Sequence, residues 1–249
     1  MAFGTVVQTL EYNDALSSLT IDWTDGSAPT LGNLIIIFGG NRVAGSFSVP
    51  AGYTLAHKVD PWSGSSSTDT HIWYKIAAAS EGNVTLTDGA SGGSMFAVAV
   101  EVEGPWAESI LGYTGSAEGT VAQGTGLAPG TTGTLAQADN FVYSTLIYRG
   151  NEGTEAYAPT AAGTTDGFSV ASVIADITAD DSAYNLSGAH FYKVTSATTA
   201  LNPTHTWTMP SGDSLLSVAQ IVTFKKSAAG GAGGAIPVFM HHYRQQGMI

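Results

Sequence analysis

The histidines are the residues of this sequence whose side chains most readily bind a metal ion. His241 and His242 form its one adjacent histidine pair. Neighbouring residues on an extended chain point to opposite sides, so one chain rarely brings both rings to one ion, although a symmetric oligomer could converge copies of one ring on its axis. We interpret this pair as part of a contact surface. We interpret the scattered histidines as sheet-surface residues: His57, His71, His190 and His205.

Acidic residues are the second kind of candidate metal ligand. Asp22 lies near Asp25, and Asp176 lies near Asp180 and Asp181, but neither group has the alternating spacing of a calcium-binding loop. We interpret both groups as solvated loop carboxylates. The sequence therefore predicts no metal site and no cofactor.

Patterns typical of enzyme active sites are also missing. No Gly-x-Ser-x-Gly turn lies between a strand and a helix, since the segment Gly89-Ala90-Ser91-Gly92-Gly93 leads into a predicted strand, and no glycine-rich loop carries the lysine that a phosphate-binding loop needs. Carboxylates suited to glycoside hydrolysis would have to face each other across a cleft, and no motif pairs them. We expect a protein that is not an enzyme and has no catalytic residues. A glycan-degrading enzyme is the least favoured alternative.

Aromatic side chains in loops are the remaining candidates for recognition. Trp62 follows an Asp-Pro turn, Trp106 follows a Gly-Pro turn, and Tyr157 lies in a polar insertion at 153–167. Such side chains can stack on sugars or anchor a protein interface. They can equally cap the end of a β-sandwich core. We predict these three residues as candidate contacts to a glycan or to a partner.

Two further aromatic residues occupy equivalent strand positions. Trp73 lies beside Lys75 and Phe191 beside Lys193, and both aromatic side chains point away from the predicted core. Leaving such a pair in water would be costly, so we expect burial between sheets or between subunits. Trp73 and Phe191 therefore join the candidate contact residues.

The end of the chain combines a linker with an apolar segment. Residues 227–234 are only Ser, Ala and Gly, which predicts a flexible linker. Residues 235–249 are richer in apolar side chains than a solvated tail would be, so we expect this segment to dock on another subunit. Docking on its own domain and a disordered end are the alternatives. The predicted docking residues are Ile236, Pro237, Val238, Phe239, Met240 and Tyr243.

The elements that must position these residues occur twice in the sequence. Four short segments recur in the same order, with an offset that grows from about 107 positions to about 120, as loop insertions would produce. The matched pairs are 33–38 with 140–143, 52–55 with 167–170, 73–76 with 191–194, and 91–94 with 211–214.

The segments themselves have the pattern of strands. Residues 34–38 form a continuous apolar run, and apolar residues alternate from Phe96 to Val102. Gln220 breaks the corresponding pattern in the second copy, so we expect it to find a hydrogen-bond partner or to lie near an interface. Further strands are predicted at 5–11, 19–23, 54–59, 83–87, 142–148, 168–174 and 204–209.

The predicted fold class is all-β, with two tandem antiparallel β-sandwich domains of jelly-roll type. The first domain is predicted at 1–112 and the second at 134–226, with a Gly- and Thr-rich linker region at 113–133 between them. A short strand at 120–123 is expected within that linker. The 227–234 linker and the 235–249 arm complete the organisation.

Composition excludes several classes of partner. The chain has 249 residues, a net charge of −12, no cysteine, and 43% hydrophobic residues. Such a negative charge repels nucleic acid and anionic membranes, and no apolar run is long enough to span a membrane. The N-terminus lacks a basic segment followed by an apolar run, so no signal peptide is predicted.

The order of these motifs resembles a known class of proteins. The strand at 33–38, the Pro-Ala-Gly-Tyr-Thr turn at 50–54, the Trp-Tyr-Lys-Ile-Ala segment at 73–77 and the strand at 94–103 are similar to β-sandwich domains of tailed-bacteriophage virions. The resemblance implies a homo-oligomeric capsid- or tail-associated structural protein, such as a decoration protein, a spike or a fibre base. It implies synthesis in the host cytoplasm, location in the virion, and other virion proteins as partners. A carbohydrate-binding module for host-surface glycans is the alternative.

Overall fold

Strands form almost all of the regular structure in the described part of the chain. A computed structural model describes residues 2–14, 18–41, 48–60, 69–87, 95–122, 125–149, 161–174, 186–208 and 214–228. The only helical element within these ranges is a 3-10 turn at Trp23–Asp25. The predicted all-β fold class is confirmed.

The strands of the first half are β1 (Val6–Asp14), β2 (Ser18–Ile21), β3 (Leu34–Asn41), β4 (Thr54–Val59), β5 (Asp69–Ile76), β6 (Val84–Thr87) and β7 (Met95–Val102). The strands of the second half are β8 (Trp106–Ala122), β9 (Gly126–Leu127), β10 (Asp139–Arg149), β11 (Ala161–Thr164), β12 (Ser169–Ile174), β13 (Leu186–Ser196), β14 (His205–Thr208) and β15 (Ser214–Lys226).

Each half builds one five-stranded antiparallel sheet with the same strand order. The first sheet has the order β1-β7-β3-β5-β4, and the second, taken from its corresponding edge, has the order β8-β15-β10-β13-β12. A small sheet accompanies each: β2-β6 in the first half and β11-β14-β9 in the second. The repeat predicted from sequence is therefore a repeat of topology, since three of the four matched pairs lie in or next to β3 and β10, β4 and β12, and β5 and β13. The fourth pair, 91–94 with 211–214, lies outside the described residues except for Ser214.

Local details repeat as well. Each outer strand carries an irregularity at the same place, between Leu55 and His57 in β4 and between Val170 and Ser172 in β12. The turn before each of these strands has a glycine with positive φ, Gly52 at 80° and Gly167 at 68°. Such a φ favours glycine because it has no Cβ. The two copies therefore share turn geometry as well as strand order.

The two large sheets face each other across a shared core. β3 is buried along its whole length, as expected for a central strand covered on both faces. Its even-numbered side chains pack in one cluster with side chains of the second sheet. The buried members are Leu34, Ile36, Phe38, Ile72, Phe96, Val98, Val100, Val102 and Ile110, together with Phe141, Tyr143, Ile147, Leu186, Val222 and Phe224.

Each large sheet has a second core on its outer face. In the first half, Trp73, Ile35 and Ile37 pack with residues of the β2-β6 sheet. In the second half, Phe191, Leu146 and Trp207 pack together against the opposite face of the second sheet. The described chain therefore has three apolar clusters, of which the middle one joins the two halves.

A buried carboxylate links the outer strand of the first sheet to the turn that precedes β3. Glu101 is 1% exposed and accepts hydrogen bonds from Gln8 Nε2 at 2.6 Å, from the Thr30 backbone N at 2.8 Å and from Asn33 Nδ2 at 2.6 Å. These donors replace the water that the charge loses on burial. Glu101 thus fixes three segments that are distant in sequence.

The prediction of a linker at 113–133 is wrong for residues 113–122. Residues 113–122 belong to β8, a 17-residue strand that pairs with β15 at the edge of the second sheet. One side of an edge strand faces solvent, so small and polar residues can form it and resemble a linker in sequence. The predicted domain boundary at residue 112 falls inside this strand. The arm at 235–249 lies outside the described residues.

Candidate functional site

Trp73 and Phe191 are buried inside the molecule. Both are 0% exposed, and each lies in the outer core of its own half. The expectation of burial between sheets is confirmed. The prediction that these rings contact a glycan or a partner is wrong, because neither side chain is exposed to solvent. The β2-β6 sheet covers Trp73, and the β11-β14-β9 sheet covers Phe191. Strand periodicity alone does not show that a small sheet lies on each outer face.

Trp106 is the first residue of β8 and is partly exposed. Its ring lies 5.0 Å from the ring of Phe3 and 6.4 Å from that of Phe141, measured between centroids. It packs against the edge of the shared core. This placement matches the alternative in which a loop aromatic covers the end of a core.

The other predicted contact residues belong to parts of the chain that the structure does not describe. Trp62, Tyr157 and the docking residues Ile236, Pro237, Val238, Phe239, Met240 and Tyr243 lie outside the described residues. They remain sequence predictions.

A serine–histidine pair lies in the outer core of the second half. Ser144 Oγ is 2.7 Å from Nε2 of His205, and Nδ1 of His205 is 3.0 Å from Thr164 Oγ1. The hydroxyl of Ser144 also donates to the backbone oxygen of Gln220 at 2.7 Å. The residue types resemble a nucleophile with its base.

Burial removes this pair from chemistry with a substrate. Ser144 and His205 are both 0% exposed, and the His205 ring stacks on Phe191 with centroids 4.0 Å apart. Burial lowers the pKa of His205 to about 3, so its ring is a weak base. The serine proton is already held by a carbonyl. The arrangement satisfies buried polar groups.

A second buried polar group crosses the shared core. Gln220 is 0% exposed, and its Oε1 accepts a hydrogen bond from Thr145 Oγ1 at 3.4 Å. Its Nε2 donates to the backbone oxygen of Thr70, in the opposite sheet, at 3.5 Å. The expectation that Gln220 finds a hydrogen-bond partner is confirmed.

A third polar cluster, with two buried residues and one exposed residue, lies where β4 ends and β5 begins. Asp60, Asp69 and His71 each offer a ligand atom, and these atoms all lie within 4.8 Å of one another. Asp69 is 6% exposed and His71 is 3% exposed, while the side chain of Asp60 is 51% exposed. Lys58 Nζ contacts Asp60 Oδ2 at 2.9 Å. We name these three ligand residues the β4–β5 cluster.

Strand pairing explains the proximity of the cluster residues. Lys58 of β4 is opposite His71 of β5, which places Asp60, just beyond β4, beside Asp69. Residues 69 and 71 project from the same face of β5 because strand side chains alternate. Asn41 of β3 is opposite Asp69, and its Oδ1 accepts a hydrogen bond from the Asp69 backbone N at 3.3 Å.

The surroundings shift the protonation of two cluster residues. Burial lowers the pKa of His71 to about 4; the Lys58 charge acts in the same direction and Asp60 opposes it. Burial raises the pKa of Asp60, but hydrogen bonds with Asp69 and Lys58 outweigh it, so the net shift is downward. At neutral pH the cluster therefore presents a neutral imidazole beside carboxyl groups.

Sequence reasoning missed this cluster. Asp60 and Asp69 are nine positions apart in the sequence, and only the pairing of β4 with β5 brings them together. The expectation that the scattered histidines lie on sheet surfaces is wrong for His71, His190 and His205, which are at most 3% exposed. His57 is partly exposed.

These features define an all-β protein built from a duplicated antiparallel sheet. Within the described residues, no helix is long and apolar enough to cross a membrane. Comparisons with protein-family models, curated proteins and solved structures gave no match.

Proposed function

We propose that this protein is a non-enzymatic structural subunit of a tailed-bacteriophage virion. In this proposal it is an oligomeric module on the capsid or tail, such as a decoration protein, a spike or a fibre base. The segment at 235–249 attaches it to neighbouring subunits. The proposal combines the resemblance of the first-half motifs with the architecture of the described chain.

The observation that carries the proposal is the burial of polar and aromatic side chains inside the duplicated sheets, away from solvent. The Ser144–His205 pair is 0% exposed at both residues. A substrate could reach neither side chain without unfolding the outer core. Large aromatic residues, including Trp73 and Phe191, are used in the cores in the same way. Such an interior favours a rigid scaffold over a catalyst.

Assembly is supported by the edges and by the end of the chain. Each described large sheet has two outer strands, β1 and β4 in one and β8 and β12 in the other, and each pairs on one side only within its sheet. Free edges can accept a strand from another chain. β15 ends at Lys226, and the apolar residues of 235–249 follow a short glycine-rich linker. A linker of this kind lets an apolar segment reach a neighbour.

The first experiment measures the molar mass of the full chain by light scattering after size exclusion. We expect an oligomer, and we expect Val238→Ser with Phe239→Ser to reduce its mass. The matched control is Gln245→Ser with Gln246→Ser, which changes polar residues of the same segment. A monomeric full chain would contradict the proposal. Unchanged mass in the apolar variant would contradict the docking role of the segment.

A second experiment tests the location. Mass spectrometry of particles purified from the culture that produces this protein should find it in constant ratio to the major capsid protein. Its absence from purified particles would overturn the virion assignment, whatever the oligomeric state. The glycan-binding alternative has less support, because Trp106 packs on Phe3 and no described residue favours it.

A further inference from the structure

We propose that the β4–β5 cluster of Asp60, Asp69 and His71 binds a divalent transition-metal cation such as Zn²⁺. This inference is independent of the virion assignment. It rests on the geometry of the cluster, on the balance of charge around it, and on a comparison with the second copy of the sheet.

The geometry is close to that of a three-ligand site. The three ligand atoms lie within 4.8 Å of one another. Ligands at about 2.0–2.2 Å from one Zn²⁺ lie roughly 3–3.5 Å apart. Two of the residues project from the same face of one strand, and both are buried. The third, Asp60, has a side chain that is 51% exposed, so its rotation can close the remaining gap.

The charges of the cluster favour a bound cation. Asp60 and Asp69 place two carboxyl groups side by side, and like charges at this distance repel unless a proton or a cation lies between them. Lys58 contributes one positive charge, 2.9 Å from Asp60, on a side that is open to solvent. A divalent ion would neutralise both carboxylates at once.

The second copy shows that the fold itself does not require these residues. The pairing of β10 with β13 matches that of β3 with β5, and it places Ser187 where the first copy has Asp69 and Ala189 where it has His71. Tyr148 stands in the place of Asn41. The same sheet is therefore built with small or aromatic residues there. The residues of the β4–β5 cluster are therefore particular to the first copy of the sheet.

The donor set selects the kind of cation. An imidazole nitrogen with two carboxylates suits Zn²⁺, Co²⁺ or Mn²⁺, whereas Ca²⁺ and Mg²⁺ prefer oxygen ligands alone. Three protein ligands leave at least one coordination position open to water or to a group from a neighbouring molecule. The ion would tie the end of β4 to the start of β5.

The test is calorimetric titration of the full chain with Zn²⁺, with Co²⁺ absorbance as a second readout. We expect binding of one ion at the cluster. Asp69→Asn and His71→Gln should each weaken it at least about 100-fold, since even residues that only support ligands change metal affinity about 10–100-fold. His57→Gln is the matched control, because it removes a histidine of β4 that is not in the cluster. We expect it to leave affinity unchanged.

Lys58→Met separates a metal site from a merely structural ion pair. Lys58 competes with the metal for Asp60, so its removal should tighten binding by up to about 5-fold, the factor that corresponds to an exposed ion pair. Zn²⁺ should also raise the Tm of this variant and of the wild type. This variant stays informative if a buried substitution impairs folding.

Two results would overturn the proposal. One is the absence of Zn²⁺ and Co²⁺ binding in both the wild type and Lys58→Met. The other is binding that survives both Asp69→Asn and His71→Gln in folded protein. In that case the ion lies elsewhere, and His241→Ala with His242→Ala would show whether the histidine pair holds it.

Discussion

A methyl group added at Gly188 tests whether the two halves of the chain depend on one core. A Cβ at this position of β13 would lie 2.9 Å from Cζ of Phe96 and 3.3 Å from Cε1 of Phe38, both in the opposite sheet. Carbon atoms pack best at about 3.5–4.0 Å. Phe96 has little room to retreat, because its ring meets that of Phe38 with centroids 5.2 Å apart and lies against Gly40.

The expected cost follows from two opposing effects. Overpacking of a well-filled core costs about 1–3 kcal/mol. Replacing glycine by alanine restricts the unfolded chain and returns about 0.4–1 kcal/mol. We expect Gly188→Ala to lower the free energy of unfolding by about 1–2 kcal/mol, which lowers Tm by roughly 2–8 °C in a chain of this size. Gly82→Ala is the matched control, since no atom lies within 4 Å of its added Cβ.

The assay is calorimetry, combined with urea unfolding of both variants and of Phe96→Leu. Because Gly188 and Phe96 belong to different halves, the shared core predicts one transition and partial rescue of Gly188→Ala by Phe96→Leu. Residues in contact typically show coupling of about 0.5–3 kcal/mol. Additive effects of the two substitutions, or two separate transitions of which only one moves, would refute the reasoning.

Two further predictions concern buried ionisable groups. Burial lowers the pKa of His190 and of His205 to about 3, below the ordinary value of about 6.5, so the unfolded chain binds more protons and stability falls as pH drops from about 6.5 towards 3. Each histidine should reduce the free energy of unfolding by about 2 kcal/mol between pH 7 and pH 5, measured from urea midpoints; a flat profile would contradict this. Glu101→Gln should cost about 2–3 kcal/mol because charge-assisted hydrogen bonds are lost and one donor is left facing an amide, whereas exposed Glu108→Gln should change stability by less than about 0.5 kcal/mol. Equal midpoints for these two variants would show that the Glu101 hydrogen bonds add nothing.

The strands were largely predictable because their signals are local. Apolar alternation and turn residues gave β4 its observed bounds, Thr54–Val59, and placed β10, β12 and β14 within a few residues. The internal repeat was equally readable, since equivalent strands keep equivalent apolar positions. Most of the edge strand β8 was not predicted, because a strand with one side in solvent needs few apolar residues.

The β4–β5 cluster and the shared core depend on contacts that sequence does not display. Nothing near Asp60 in sequence indicates that it lies beside His71; that follows from strand register. Likewise, the apolar face of β3 shows that it is covered but not what covers it. Gln220 was the exception, because one polar residue in an apolar series predicts a partner.

The duplicated topology determines how the apolar face of β3 is covered. A molecule with only one copy would expose the sheet face that carries Leu34, Ile36 and Phe38, which are now 0% exposed. It could hide that face only by joining a twin. The present chain supplies both sides of this core itself, so the first sheet needs no second molecule to cover Leu34, Ile36 and Phe38.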